Sequence, residues 1–410
     1  MARNTLYPPS VKPGIPKLGI KPKGWTETTF GKVLTVVQRP AEIKNNTEYQ
    51  LVTAKRGRGG IAPREKLVGR KILTKIQYYV AEDDFLISKR QIVHGACGVV
   101  PSSLEGAIVS GEYSVLRVKD GLLLKFLDYF SHTDYFQMTC FQASVGVDVE
   151  KMIFDLKEWL NVKIYLPPVP EQEKILNIIG TWDKAISQTK KLIIAKQNLK
   201  KGLLQKLVIG SVRFPVFTKS KKWNVMEFEE IASLSSEKFN PLIQTNDLPC
   251  VELEHIEQET GQIRGYVSAL KQKSIKNRFR SGQVLFGKLR PYLKKYAKPN
   301  FDGVCSSEVW VLSGTPNVCE NRFLFYLVQT HRFISAANVS SGSKMPRADW
   351  EHVADSVFPI PSIPEQEKIA DMLEILDHEI EILTKKLINL RTQKKGLMQK
   401  LLTGQIRVKV

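Results

Sequence analysis

Pro170-Glu171-Gln172-Glu173-Lys174-Ile175 returns 194 residues later as Pro364-Glu365-Gln366-Glu367-Lys368-Ile369. Further along, Lys200-Lys201-Gly202-Leu203 with Gln205-Lys206-Leu207 returns as Lys394-Lys395-Gly396-Leu397 with Gln399-Lys400-Leu401. Between positions 170–213 and 364–407, aligned without a gap, 19 of 44 residues are identical. A long-period internal repeat decides architecture before any single residue does. It predicts two halves, each a globular block followed by a helix.

The repeat unit itself reads as one long helix. Leu166-Pro167-Pro168-Val169-Pro170 forbids helix before it, and Glu171 and Glu173 fall in the first turn, where carboxylates suit the helix dipole. Gly210 ends it about 40 residues later, which at ~1.5 Å per residue makes a rod of roughly 60 Å. The second copy carries a 4-3 series (Ile369, Leu373, Leu376, Ile380, Leu383, Leu387, Leu390, Lys394, Leu397, Leu401) that is apolar at nine of ten slots. The first copy (Ile175, Ile179, Trp182, Ile186, Thr189, Ile193, Lys196, Lys200, Leu203, Leu207) is apolar at seven of ten, with Leu192 and Leu199 beside its weak slots. Seams of this length predict a coiled coil in which each helix is the other's partner. A 150-residue block with a radius of gyration of ~15 Å does not bridge a 60 Å rod. The helices are therefore expected antiparallel, with the blocks at opposite ends.

The expected fold is α+β (mixed α/β), a pseudo-two-fold tandem repeat: an N-terminal arm (1–24), a first block (25–166), a helical spacer (167–213), a second block (214–360) and a second helical spacer (361–410). The arm is rich in Pro, Gly and Lys and is expected extended. In the first block Lys71-Ile72-Leu73 and residues 114–118 read as short β runs and residues 122–130 as helix. The blocks resemble one another faintly: Gly24-Trp25 with Phe30-Gly31-Lys32-Val33 matches Lys222-Trp223 with Phe228-Glu229-Glu230-Ile231. Gly106-Ala107-Ile108-Val109-Ser110 matches Gly303-Val304-Cys305-Ser306-Ser307.

Composition narrows the partner. The 61 Lys+Arg against 41 Asp+Glu leave a net charge of +20, which favours a polyanion, nucleic acid before membrane. Five dispersed cysteines without a CxxC spacing predict neither a disulfide framework nor a zinc site and suit a reducing cytosol. No signal-type segment opens the chain and no apolar run approaches the ~20 residues of a membrane span, so a soluble cytoplasmic protein without membrane partners is expected. Between Lys55 and Lys75 lie eight basic residues (Lys55, Arg56, Arg58, Arg64, Lys66, Arg70, Lys71, Lys75) against one acid, Glu65. Gly57, Gly59 and Gly60 there allow close approach of a phosphate. Residues 260–301 hold eleven basic residues and no acid. A charge run is usually a solvated face, but one such cluster per half tips the balance to nucleic acid. For the interleaved aromatics (Tyr266, Phe279, Phe286, Tyr292, Tyr296) a place in the core is the first expectation.

Chemistry of its own is not in view. Gly282-Gln283-Val284-Leu285-Phe286-Gly287-Lys288 has phosphate-loop spacing, yet Leu289 stands where Ser or Thr should hold Mg²⁺, and Val-Leu-Phe reads as strand. No H-E-x-x-H, G-x-S-x-G or closely spaced Cys/His set occurs, nor the Asn/Asp-Pro-Pro-aromatic tetrapeptide of amino-methyltransferases. Glu42-Ile43-Lys44 stands alone. Gly202 and Gly396, one inside each helix, cost ~1 kcal/mol each relative to Ala. Their recurrence is explained equally by helix-on-helix crossing and by a docking partner.

These residues resemble the specificity (S) subunit of type I restriction–modification enzymes, from about Trp25 to Arg407. The resemblance rests on the paired Pro-Glu-Gln-Glu-Lys-Ile helix starts and Lys-Lys-Gly-Leu-x-Gln-Lys-Leu ends. It rests also on Phe286-Gly287-Lys288-Leu289-Arg290-Pro291-Tyr292 with Cys305-Ser306-Ser307-Glu308, and on Pro346-Arg347-Ala348-Asp349-Trp350 leading to Pro359-Ile360-Pro361. The first block departs from the pattern, since residues 84–90 match the 286–292 string only loosely. The resemblance implies two target-recognition domains reading halves of a split double-stranded DNA sequence, with the coiled coil as ruler. It implies two docked methyltransferase (M) subunits and restriction (R) subunits, which would supply S-adenosylmethionine, ATP and Mg²⁺ chemistry, with no cofactor in this chain. Candidate DNA contacts are then Lys55, Arg56, Arg58, Arg64, Lys66, Lys89, Arg90, Lys276, Arg278, Arg280, Lys288, Arg290 and Lys294. Candidate partner-docking positions are Glu171, Gln172, Lys200, Gly202, Glu365, Gln366, Lys394 and Gly396. Four residues inserted in one helix would add ~6 Å, near two base pairs of rise, and alter the preferred spacer. The rival readings are a non-catalytic basic coiled-coil scaffold for an acidic protein or membrane surface and, more distantly, an enzyme.

Overall fold

The computed structural model describes residues 7–339 and 345–409; the first six residues of the expected arm lie outside them. The chain divides into two compact units within its long helices, between Gln188 and Thr189 and between Lys386 and Leu387.

In unit 1 the chain runs β1 (Thr26–Thr29), α1 (Phe30–Val33), β2 (Leu34–Val36), β3 (Pro40–Ala41), β4 (Glu48–Ala54) and β5 (Ile61–Val68). It continues with β6 (Gln77–Tyr79), β7 (Phe85–Ser88), β8 (Cys97–Val99), β9 (Ile108–Ser110) and β10 (Tyr113–Val118). Then come α2 (Leu124–Phe130), α3 (Asp134–Gln142), β11 (Ser144–Val145), β12 (Ile153–Phe154), α4 (Leu156–Leu160), β13 (Lys163–Leu166) and the long helix α5 (Val169–Leu207), which passes into unit 2 after Gln188. Unit 2 follows with β14 (Asn224–Glu227), α6 (Phe228–Ile231), β15 (Ala232–Leu234), β16 (Lys238–Phe239), β17 (Pro249–Val251) and β18 (Val267–Ser268). Next are β19 (Lys276–Phe279), β20 (Val284–Gly287), β21 (Tyr296–Ala297), β22 (Gly303–Cys305) and β23 (Val309–Gly314). It closes with α7 (Asn321–Leu327), α8 (His331–Ala337), α9 (Trp350–Ala354), β24 (Val357–Ile360) and the second long helix α10 (Ile363–Leu402).

The blocks share one topology. Four-stranded sheets run β2-β10-β7-β8 and β15-β23-β20-β21; five-stranded sheets run β3-β6-β9-β4-β5 and β16-β19-β22-β17-β18. The middle strands are buried on both faces, which is why they read as unbroken apolar runs. In β7, Phe85 and Ile87 point to the helices and Leu86 to the second sheet. In β20, Val284 and Phe286 face the helices and Leu285 the second sheet, so the phosphate-loop-like spacing is a core strand.

The register corrects two sequence expectations. The parallel partners are Leu51 with Ile108 and Cys250 with Val304, so Ile108 corresponds to Val304 and not to Cys305. Strand alternation makes that one-residue shift consequential, because it exchanges the two faces. Lys71-Ile72-Leu73 is no strand: Lys71 closes a 3₁₀ turn (Gly69–Lys71) and Leu73 is 96% exposed in the loop beyond.

Each unit takes one segment of each long helix, packed antiparallel. In unit 1 Asp183 receives Lys394 Nζ at 2.6 Å; the repeat-related pair in unit 2, Asp377 and Lys200, stands at 2.5 Å. Tyr129 donates to Asp183 and Tyr326 to Asp377 in the same way, with each lysine over the tyrosine ring. None of the twenty seam positions is exposed. The seam lysines are ion-paired rather than weak points, Lys196 with Glu379 at 2.6 Å, and charged pairs at seam slots fix register. Leu192 and Leu199 are 46% and 48% exposed and take no part in the seam. Both helices end at a left-handed glycine, Gly210 (φ 75°) and Gly404 (φ 74°). A Cβ there would press on the rings of Trp223 and Trp25.

Candidate nucleic-acid interface

In unit 1 the two basic loops are tied together. The β4–β5 loop, residues 55–60, runs against the β7–β8 connection: Gly57 N donates to His94 O at 2.7 Å and Arg58 N to Gly95 O at 3.1 Å. Arg56 Nε donates to Gln91 Oε1 at 2.6 Å, and its Nη2 meets Glu150 Oε2 at 2.6 Å; that guanidinium hydrogen bond holds the Glu150 carboxyl below its usual range. Lys55 and Lys66 are exposed, Arg64 sits beside Glu65 on the end strand β5, and Arg90 pairs with Glu112 at 2.6 Å. Lys89 is half-buried, its Nζ on Gly111 O at 2.7 Å. Arg58, at φ 63°, keeps Nε and Nη2 buried without a protein hydrogen-bond partner. Burial lowers its pKa, against the pull of Asp134.

Unit 2 makes the same junction with other chemistry. Glu259 N donates to Lys294 O at 3.0 Å, as Arg58 N does to Gly95 O. Glu259 (φ 62°) and Lys294 (φ 50°) repeat the left-handed conformations of Arg58 and Gly95 (φ 76°). Thus Arg58 and Glu259 are equivalent positions of opposite charge, and Glu259 closes on Lys294 Nζ at 2.7 Å. That hydrogen bond holds the Glu259 carboxyl below its ordinary range. A second equivalence is Lys89 with Lys288, whose amides donate to Glu112 O and Glu308 O, both at 2.9 Å. Arg290 is exposed at φ 52° and bonded through its amide to Pro346 O, which brings Lys288, Arg290 and Arg347 into one loop cluster. Arg347 itself pairs with Glu308 at 2.9 Å. Arg347 was not among the candidates from sequence although its string carried the family resemblance; nothing in the local spacing says that it folds back onto residues 288–290. Among the described residues, three of the six non-glycine positions at positive φ are Arg58, Arg290 and Lys294, and such conformations persist where surrounding structure enforces them, often at working sites.

Several candidates are corrected by burial. Lys276 is 5% exposed and paired with Glu252, whose carboxyl, despite its burial, is held low by that ammonium; Lys276 is part of the core and is no phosphate contact. Arg278 and Arg280 share Glu237 at 3.4 and 3.3 Å and remain partly or fully open to solvent. Among the aromatics Phe279, Phe286 and Tyr296 are core, while Tyr266 and Tyr292 are 61% and 50% exposed.

The helix starts are corrected too. Glu171 and Glu365 are each 1% exposed and Gln172 and Gln366 fully buried, so none is a docking surface. Glu171 accepts from Trp25 Nε1 at 3.0 Å and from Arg407 at 2.6 and 2.7 Å; Glu365 accepts from Trp223 Nε1 at 3.1 Å and from Arg213 at 2.9 and 2.6 Å. Gln172 bonds Leu123 N, Gly121 O and Pro167 O, and Gln366 bonds Glu320 N, Val318 O and Pro361 O. Lys200 and Lys394 are likewise held inside their units by Asp377 and Asp183. Gly202 and Gly396 differ: both are exposed, and a Cβ on either meets nothing within 4 Å. Helix crossing within the chain therefore does not account for them.

All five cysteines are buried and free. Among the described residues no cluster of His, Cys, Asp or Glu could hold a metal, and no helix is long and apolar enough to cross a membrane.

The family model for the type I restriction modification DNA specificity domain matches this chain twice, over residues 22–196 and 220–392. The chain belongs to that family. It is 29% identical over 188 residues to the EcoDI specificity subunit of Escherichia coli, covering 45% of this chain and 41% of that protein. To the MjaVIII specificity subunit of Methanocaldococcus jannaschii it is 26% identical over 285 residues, 64% of this chain and 65% of the relative. The matches thus span less than two thirds of either relative's own length. In fold it is similar to the HsdS subunit of Thermoanaerobacter tengcongensis (TM-score 0.55, 17% identity, 94% and 98% coverage). It is similar also to a chain from a study of type I R-M complex assembly and conformational transition (TM-score 0.62, 16% identity, 95% and 100% coverage). Family membership does not favour the general scaffold reading.

Proposed function

We propose that this chain is the specificity subunit of a type I restriction–modification complex and that each block reads one half of a split double-stranded DNA target. The observation that carries this reading is one scaffold used twice with different chemistry at the same loop positions. Arg58 stands where Glu259 stands, and Gly95 where Lys294 stands. Two readers of unlike half-sites need a common frame and divergent tips, since base-edge contacts specify while phosphate contacts position. The net charge of +20 supplies the attraction to phosphate.

In this reading the chain recognises and does not transform. Methyl transfer from S-adenosylmethionine and ATP- and Mg²⁺-dependent cleavage belong to M and R subunits that assemble on it in the cytoplasm. The exposed Gly202 and Gly396 faces give two equivalent places for two M subunits. Capture of the tagged chain from its own cells, with mass spectrometry of what accompanies it, tests this. Two copies of an adenine methyltransferase per chain are expected; a lone chain, or one carrying acidic or membrane proteins, overturns the assignment.

A further inference from the structure

We propose that two equivalent loops, residues 69–76 and 269–275, are apolar wedges that enter the groove of bound DNA and strain its base steps. The proposal rests on the DNA-recognition reading above and adds an element that deforms DNA without reading its sequence.

The loops are equivalent by topology. Each leaves an end strand of a five-stranded sheet, β5 or β18, and makes a 3₁₀ turn, Gly69–Lys71 or Ala269–Lys271. Each turn opens with an amide bonded across to the neighbouring strand's lead-in, Gly69 N to Thr47 O at 2.8 Å and Ala269 N to Leu248 O at 2.9 Å. Each loop then enters an inner strand, β6 at Gln77 or β19 at Lys276. Lys71 thus corresponds to Lys271 and Ile76 to Ile275.

Both present apolar side chains to solvent. Leu73 is 96% exposed, Ile76 67% and Ile275 54%. A single exposed leucine or isoleucine is ordinary; Ile76 returning as Ile275 just before the same inner strand in both blocks is not, and Leu73, which faces Lys273 in the alignment from the turn, enlarges the wedge in the first loop alone. The surroundings select the occupant. No acid occurs from residue 66 to 81 or from 260 to 301, and none of Lys71, Lys271 or Lys273 has an ion-pair partner among the described residues. Cations around an apolar tip fit phosphates flanking a groove, where Leu, Ile and Phe wedges unstack base steps. The first loop is preformed, since Lys75 Nζ bonds Gly69 O at 2.8 Å. Because both blocks carry the wedge, it serves unlike half-sites alike, through deformability rather than base contacts.

The test uses the full-length chain, purified with whatever subunits accompany it, and random-sequence duplexes carrying 2-aminopurine. Leu73→p-benzoylphenylalanine is expected to crosslink to the duplex on irradiation. Wild-type protein should raise 2-aminopurine fluorescence, and Leu73→Ala with Ile275→Ala should abolish that rise and weaken binding about tenfold. Lys71→Ala should instead lower the salt slope by about one while leaving the fluorescence rise. Crosslinking to a co-purifying polypeptide, or fluorescence unaltered in the double variant while DNA is still retained, overturns the wedge and leaves DNA recognition standing. Failure of the wild-type complex to retain any duplex overturns both.

Discussion

Replacing Gln366 by leucine should destabilise unit 2 far more than its plain sequence position implies. The side chain is fully buried, and its amide serves three backbone groups: Val318 O at 2.7 Å, Pro361 O at 3.0 Å and Glu320 N at 2.9 Å. Together these pin the first turn of α10 to the turn that launches α7. Leucine keeps the volume and removes every bond. A buried polar group left unpaired costs roughly 1–3 kcal/mol; three backbone groups lose their partner here, with Val318 and Glu320 half-buried and Pro361 buried, so Gln366→Leu should cost about 3–5 kcal/mol. With a urea dependence of about 2–3 kcal/mol per molar for a unit of this size, the midpoint falls by about 1–2 M. Gln172→Leu breaks the matching bonds to Gly121 O, Pro167 O and Leu123 N. Gly121 is exposed where Val318 is half-buried, so the unit 1 loss should be somewhat smaller. The assay is equilibrium urea unfolding of each variant and of the pair, read by far-UV circular dichroism and tryptophan fluorescence. The losses should add, because the two sites share no partner. A Gln366→Leu loss below about 0.5 kcal/mol would show that the signature glutamines do not hold the helix starts.

Other consequences follow from the same contacts. Gly202→Ala and Gly396→Ala should each stabilise the free chain by up to ~1 kcal/mol, since a Cβ there meets nothing, and each should reduce recovery of the proposed methyltransferase subunit; unaltered recovery removes the docking role. His132 is held neutral: burial first, then Arg58 and Lys394, take its pKa down to about 4. Its contribution to stability is therefore complete above the free imidazole value of ~6.5, shrinks as pH falls towards 4 and is then lost, roughly 3 kcal/mol in all. His132→Gln should flatten the stability decline over that window, and a slope identical to wild type contradicts the assignment. Arg290→Ala should weaken DNA binding and lower the salt slope by about one, whereas Lys276→Ala should lower stability and leave the slope unchanged; a slope that falls with Lys276 but not Arg290 reverses the interface drawn here.

The helices were legible in sequence because a 44-residue repeat and a 4-3 apolar series extend over many turns, and every seam slot is buried or half-buried. The sheets were legible only as a mixture. Their strands are two to eight residues long, and their order depends on pairings such as Cys250 with Val304, which no local pattern announces. The match of Gly106 to Gly303 slipped by one residue because glycine identity was followed where strand parity decides. Site residues failed for a related reason. The acid-free run at 260–301 made Lys276 look free, but its partner Glu252 lies just outside that window. Glu171 looked like a surface carboxylate because Arg407 stands 236 positions away in the chain. Arg58 and Glu259 could not be matched from sequence, since their loops differ in length and share only backbone geometry.

In the proposed function, one chain carries two readers for a split DNA sequence. Selection of random duplex DNA by the purified complex, followed by sequencing of the retained molecules, tests it most directly. Two short enriched half-sites at one constant spacing are the expected result. A single contiguous motif, or no enrichment from a complex that still binds DNA, would contradict it.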